Sequence, residues 1–283
     1  MKYCSFQVKG VPGYGIFDGG AIKAVTDEFK DQYTDLKSVI AAGELPQALE
    51  SAEGGGSFGV NAVSFDPVIP NPGKIFCVGM NYLAHIKEMG REPPAYPALF
   101  IRFPDSIVGH LNSVIRPAAS TKYDFEGELA VIIGRAAHHV SAGQALEHVA
   151  GYACFLDGSV RDFQRHTSQF TAGKNFRHSG AFGPWLTTID EIPDPTVLNL
   201  QTRINDEVMQ QGNIGDLCIG IEAMIEYLSA ICRLEPGDVI VTGTPSGVGA
   251  ARDPQRWLKP GDRIQVDIDQ VGVLENIVVD ESV

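Results

Sequence analysis

Cysteine is sparse in this chain and follows no pattern. Five are scattered through 283 residues, Cys4, Cys77, Cys154, Cys218 and Cys232, odd in number and nowhere spaced as C-x-x-C. Neither a disulfide framework nor a thiolate zinc site is expected, and the thiols read as small hydrophobes in a reducing compartment. No window reaches about 18 uninterrupted apolar residues, so no membrane-spanning helix is expected. The start, Met1-Lys2-Tyr3-Cys4-Ser5-Phe6, lacks a basic stretch followed by an apolar one, which makes a cytoplasmic location the default expectation. Positive charge is also short. The 22 Lys and Arg against 35 Asp and Glu leave a formal net charge of -13, which argues against nucleic acid or an anionic membrane as partner.

What is present is enough apolar residue, 44%, to bury a full core. The first seventy residues differ in texture from the rest. Tyr3–Val8 and Tyr14–Val25 read as short strands, the second broken at Asp18-Gly19-Gly20, and Asp35–Ala42 and Pro46–Ala52 read as brief helices ended by glycines. Asp66-Pro67-Val68-Ile69-Pro70-Asn71-Pro72-Gly73 is a stiff connector, which predicts a small N-terminal α+β domain over 1–70 and a large domain over 73–283. Beyond it, Lys74–Val78, Glu128–Ile133, Tyr152–Leu156, Leu198–Ile204, Val239–Thr242 and Arg263–Ile268 read as strands. Leu217–Cys232 is the one convincing amphipathic helix. Regular β-α alternation is missing, so a doubly wound sheet is not expected.

The most informative run is Phe125-Glu126-Gly127-Glu128-Leu129-Ala130-Val131-Ile132-Ile133. As a strand it places Glu126, Glu128, Ala130 and Ile132 on one face, which starts acidic and turns apolar. Carboxylates entering a core must be protonated, paired or bound to metal. A third acid, Asp157, ends the apolar run from Gly151. Three carboxylates without nearby His or Cys at ligand spacing favour Mg²⁺ or Mn²⁺ over zinc, the alternative being a solvated pair and an unrelated loop acid.

Other candidates follow along the chain. His85 and Glu88, three apart on a short helical stretch ending at Gly90, form a carboxylate-oriented imidazole or else an ordinary surface pair. Arg161 and Lys174 are candidate cations for a substrate carboxylate or oxyanion, with Gln164 as a hydrogen-bonding neighbour. The glycine-dense loop Gly243-Thr244-Pro245-Ser246-Gly247-Val248-Gly249 offers backbone N–H groups and the Thr244 hydroxyl to an anion, or is simply a tight turn.

Taken in order, these elements resemble the fumarylacetoacetate hydrolase family, including its acylpyruvase and hydroxymuconate isomerase branches. The resemblance rests on Gly79-x-Asn81-Tyr82-x-x-His85-x-x-Glu88, Tyr123-Asp124-Phe125-Glu126-x-Glu128-Leu129, Asp157-x-Ser159-x-Arg161-Asp162-x-Gln164, Gly173-Lys174-x-Phe176, Gly183-Pro184-Trp185, Pro236–Gly249 and Lys259-Pro260-Gly261-Asp262. It implies that Glu126, Glu128 and Asp157 bind Mg²⁺ or Mn²⁺, that His85 and Glu88 are the base dyad, and that Lys174, Arg161, Gln164 and Thr244 contact substrate. It implies an α+β, mainly β fold, a large mixed β-roll with few helices, normally dimeric. Arg102 and Arg177 stand where relatives often carry Lys and Asp, and Asn205-Asp206 replaces a usual Asn-Gly turn.

The expected function is metal-dependent hydrolysis of a carbon–carbon bond in a small anionic keto acid of the acylpyruvate type, such as fumarylpyruvate or acetylpyruvate, giving pyruvate and a carboxylic acid. Two alternatives stand beside it. An isomerase or decarboxylase of an unsaturated 2-oxo or 2-hydroxy diacid, or of oxaloacetate, needs the same metal-stabilised enolate. A non-catalytic metal-stabilised β binding protein needs no His-Glu pair, and the ordered set of dyad, carboxylates and cations speaks against it.

Overall fold

A computed structural model describes residues 1–282. Strand is the commonest regular structure, with short helices between, arranged as a mixed α+β fold dominated by β. Its largest element is a twelve-stranded sheet. Through its middle run, in spatial order, Lys2–Val8, Gly180–Thr188, Val149–Leu156, Gly127–Ile133, Val239–Val241 and Ile75–Gly79. Most neighbours are antiparallel, but Val239–Val241 and Ile75–Gly79 run parallel. A five-stranded sheet built on Asn199–Ile204, Arg263–Ile268 and Gly272–Asp280 packs beside it.

Strand Gly127–Ile133 is buried on both faces, not on one. Leu129, Val131 and Ile133 enter a core shared with Leu200, Ile264 and Val266 of the second sheet and with Met224, Ile225 and Leu228 of the helix Ile221–Ile231. Ala130 and Ile132 enter a second core, closed by Leu36, Val39 and Ile40 and by Ala48 and Ala52 from two N-terminal helices. The chain thus forms layers, with the large sheet in the centre. The first seventy residues supply the cover on one side, and Lys2 and Tyr3 pair directly with Thr187 and Leu186.

Local chemistry explains the element ends. Asp35 caps Leu36–Ala42 in a reciprocal capping box with Ser38, and Gly43 ends that helix in the left-handed region at φ 76°. Asn205 and Asp206 both adopt positive φ, 51° and 72°, so this pair makes the tight hairpin that Asn-Gly would otherwise make. The helix expected from Leu217 starts only at Ile221, because Leu217 bridges to Tyr82 and the next two amides bond Asn81. The acidic strand likewise starts at Gly127. Tyr123–Asp124 pairs with Ser159–Val160 in a separate ribbon, leaving Glu126 in the bend between the two.

One half-buried histidine gives the fold a pH dependence. His110 Nδ1 accepts the Glu275 N–H at 3.0 Å, and burial, opposed by Glu275, pushes the imidazole down from 6.5 to about 4. The unfolded chain therefore binds a proton before the folded one does. Stability is fully present above pH 6.5 and falls as pH drops towards 4, by at most about 3 kcal/mol from this group. Urea unfolding at pH 7 and 4.5 should show that loss in the wild type and a flatter dependence in His110→Asn, whose amide oxygen can take the same N–H. Equal slopes would remove His110 as the cause.

Candidate metal and catalytic site

Strand register builds the site. Gly127 pairs with Leu156 and Glu128 with Phe155, so the start of one central strand lies against the end of its antiparallel neighbour. Asp157 emerges beside Glu126, and its N–H donates to the Glu126 carbonyl at 2.8 Å. On the other side Ala130 pairs with Val241, which carries Thr242 and Gly243 alongside Leu129 and Glu128. Parallel pairing of Val241 with Cys77 then brings Gly79, Asn81 and the helix Leu83–Glu88 to the same sheet end.

Glu126, Glu128 and Asp157 converge there, all buried, each offering an oxygen within 4.8 Å of the others. Their partners differ. Arg161 donates to Asp124 and to Glu126 Oε1, both at 2.7 Å, and to Gln164 at 2.9 Å. Arg102 donates to Asp157 Oδ1 at 2.6 Å. Lys174 Nζ bridges the remaining oxygens, bonding Glu126 Oε2 and Asp157 Oδ2, the latter at 2.5 Å. Glu128 is bonded by no basic side chain among the described residues; its Oε2 accepts the Gly243 N–H at 2.6 Å.

The electrostatics follow from this uneven pairing. Burial alone would raise the Glu126 carboxyl, but Arg161, Lys174 and His85 outweigh it and hold the group well below the carboxylate range. For Glu128, burial and then the Asp157 and Glu126 charges push the carboxyl far up, against weaker help from Lys174 and the Gly243 amide. Four buried carboxylates, counting Asp124, face three cations, Arg102, Arg161 and Lys174. An all-oxygen donor set that is one positive charge short fits a hard divalent cation.

Beside this cluster His85 Nδ1 lies 3.2 Å from Glu88 Oε2, with the imidazole largely buried. If Nδ1 carries the proton donated to Glu88, Nε2 has the free lone pair and is the basic nitrogen. Asn81 anchors the segment, donating to the Ile219 and Thr242 carbonyls at 3.0 and 2.8 Å and accepting the Ile219 N–H at 2.8 Å. One loop ties the two together, since Gly243 N–H bonds Glu128 and Gly247 N–H bonds Glu88, so the dyad and the carboxylates share one site.

Sequence suggested that the loop from Gly243 presents its N–H groups to an incoming anion. Three of them instead serve the protein's own carboxylates: Gly243 bonds Glu128, Gly247 bonds Glu88 at 2.8 Å, and Gly249 bonds Asp124 at 2.8 Å. Gly247 is at φ 104°, and a Cβ there would lie 2.1 Å from the Met209 carbonyl, so no other residue fits. Thr244 donates to the Gly127 carbonyl at 2.9 Å and accepts from Gln210 at 2.8 Å. Gln164 spends its side-chain oxygen on Arg161, which leaves its amide N–H groups for a ligand.

Three site residues had no assigned role in the sequence. Asp124 stands two residues before Glu126, and the Asp-x-Glu-x-Glu alternation is a signal that could have found it. Arg102 was marked only as a departure from pattern. Gln210, whose Oε1 takes the Gly127 N–H at 3.0 Å, carries no local signal at all.

Comparison with known proteins gives the family. Residues 74–279 match the family model for the fumarylacetoacetate (FAA) hydrolase C-terminal domain. The human mitochondrial oxaloacetate tautomerase FAHD2A is 42% identical over 219 residues, 77% of this chain and 70% of its own length. A fumarylacetoacetate hydrolase from Exiguobacterium antarcticum superimposes with a TM-score of 0.88 at 34% identity, covering 99% of this chain and 100% of that one. Maleylpyruvate hydrolase from Sphingobium sp. SYK-6, solved with manganese and pyruvate, gives 0.82 at 30% identity with both chains fully covered. A carboxylate triad at the sheet end, a His-Glu helix beside it and a family match spanning both leave one conclusion: the chain belongs to the fumarylacetoacetate hydrolase family.

Proposed function

We propose that this enzyme uses a divalent cation to move a proton at the carbon beside the 2-oxo group of a small keto diacid of the oxaloacetate type, interconverting keto and enol forms. The observation that carries the reading is an oriented imidazole next to a buried carboxylate triad which, with Asp124, has four acids facing three cations. The likeness to oxaloacetate tautomerases supports the substrate class. Glu126, Glu128 and Asp157 would hold Mg²⁺ or Mn²⁺. When bound, such an ion supplies the Lewis acidity that stabilises an enolate.

The protein's own residues do the rest. His85, held by Glu88, takes a proton from the carbon next to the ketone and delivers it to the ketone oxygen, giving the enol, and the same transfer runs backwards in the reverse direction. Lys174 is the cation best placed to meet a substrate carboxylate, since each arginine is already fixed on protein oxygens. The free amide of Gln164 holds a remaining polar atom of the substrate, while the Thr244 hydroxyl, already bonded to the Gly127 carbonyl and Gln210, shapes the site from behind. Burial of His85 and the triad limits the access of bulk water to the reacting carbon, while Glu88 stays on the solvent side of the imidazole.

Hydrolysis of an acylpyruvate is the second reading, favoured by the likeness to maleylpyruvate hydrolase with its manganese and pyruvate. There His85 deprotonates water instead of carbon. Incubating the Mg²⁺-loaded protein with oxaloacetate, acylpyruvates and hydroxymuconates in ¹⁸O water, and separately in deuterated water, distinguishes the two by NMR and mass spectrometry. Fast keto–enol exchange with deuterium at the carbon beside the ketone and no pyruvate is the expected result. Pyruvate with ¹⁸O in the released acid would replace it by hydrolysis, and CO₂ release by decarboxylation. Inertness towards the whole panel would refute both readings.

A further inference from the structure

The two cations on Asp157 are built differently. Arg102 is 2% exposed and places every one of its donors: Nε on Ser106 Oγ at 3.1 Å, Nη1 on Asp157 Oδ1 at 2.6 Å and the Gly158 carbonyl at 3.0 Å, and Nη2 on the Ser106 carbonyl at 3.1 Å and Ser179 Oγ at 2.9 Å. A planar guanidinium held on five sides cannot leave without stranding a buried charge. Arg161 fixes Glu126 Oε1 in the same manner while also bonding Asp124 and Gln164.

Lys174 is equally buried, 1% exposed, but has no such cage. Among the described residues its ammonium bonds only Glu126 Oε2 and Asp157 Oδ2, the two oxygens that the arginines leave unclaimed. It is carried on a flexible four-carbon stem. The Phe100 ring, with its centroid 4.9 Å from Nζ, offers the ammonium an adjacent seat. Those two oxygens belong to two of the three carboxylates that converge on one point.

We propose that Lys174 is a placeholder cation that a divalent ion displaces, while Arg102 is a permanent positioning residue that aims Asp157 Oδ2 at the ion. The inference rests on the metal-dependent reading above and goes beyond it. Lys174 neutralises the triad in the ion-free protein, and its release makes the ammonium available to an anionic substrate only after the ion is in place. Loading is thereby ordered, ion first and keto acid second.

The test measures ion affinity, not turnover. Titration calorimetry with Mn²⁺ on chelator-stripped protein should show Lys174→Met binding about tenfold or more tightly than wild type, because a competing unit charge is gone. Arg102→Lys, which keeps the charge but not the five bonds, should bind about 10- to 100-fold more weakly. In wild type, reductive methylation of Lys174 followed by mass spectrometry should be faster with Mn²⁺ than without it. This labelling needs no substitution and stands if Arg102→Lys fails to fold. Unchanged or weaker ion binding by Lys174→Met, or labelling that Mn²⁺ leaves unchanged or slows, would overturn the proposal. No Mn²⁺ binding by wild type would instead remove the metal-dependent reading on which it rests.

Discussion

Alanine at His85 is expected to lower turnover about 10²- to 10⁴-fold, the usual worth of a positioned general base, while ion affinity stays near the wild-type value. The separation follows from where the side chain sits. His85 bonds Glu88 and none of the triad, so its removal strands no carboxylate of the ion site. The helix that carries it is pinned by Asn81, two residues before it begins, and not by the imidazole. Glu88→Gln should lose less than His85→Ala, since the imidazole remains and only its orientation suffers. Steady-state rates alongside Mn²⁺ calorimetry decide the matter. A variant that keeps most of its rate would show that another group moves the proton.

Removing the ion, or Glu128, should be as severe. Chelation with EDTA is expected to abolish turnover and Mg²⁺ or Mn²⁺ to restore it, because three buried carboxylates need a hard cation to act together. Glu128→Gln is the cleanest substitution. Asp157 is the carboxylate that pairs Arg102, and deleting it leaves a buried charge alone, a loss of about 3–5 kcal/mol unrelated to the ion; deleting Glu126 takes one of the two carboxylates on Arg161. Glu128 satisfies only the Gly243 amide, and its neighbours disfavour its charge. The glutamine variant should therefore melt higher than wild type in EDTA, yet gain little from Mg²⁺ and turn over slowly. A melting temperature that still rises strongly with Mg²⁺ would mean that Glu128 is not a ligand.

Much of this site was legible in the chain. The alternation in Glu126-Gly127-Glu128, the acid ending an apolar run at Asp157, and the i,i+3 spacing of His85 and Glu88 are local patterns, and local patterns survive in a sequence. The partners that decide the electrostatics are not local. Arg102 meets Asp157 across 55 residues, and Gln210 meets Gly127 across 83. Nothing near either residue announces the contact. The pairing of Lys2 with Thr187 is of the same kind, which is why the first seventy residues look self-contained in sequence while their strands extend the central sheet. The helix expected from Leu217 was mistaken at its start for a related reason. Its apolar spacing continues through Leu217–Ile219, but tertiary bonds to Asn81 and Tyr82 override it.

A single loop touches three parts of this site that have different tasks. Gly243 holds Glu128 of the carboxylate triad, Gly247 holds the Glu88 that bonds His85, and Gly249 holds the Asp124 on which Arg161 rests. A clamp of this kind makes the parts rise and fall together: the loop cannot shift to suit one of them without loosening the other two. Errors in the loop should therefore fail as a block, with ion affinity, base strength and arginine placement lost in the same variant. Evolution towards a new substrate would then have to work from the residues around the clamp, because the clamp itself tolerates no partial change.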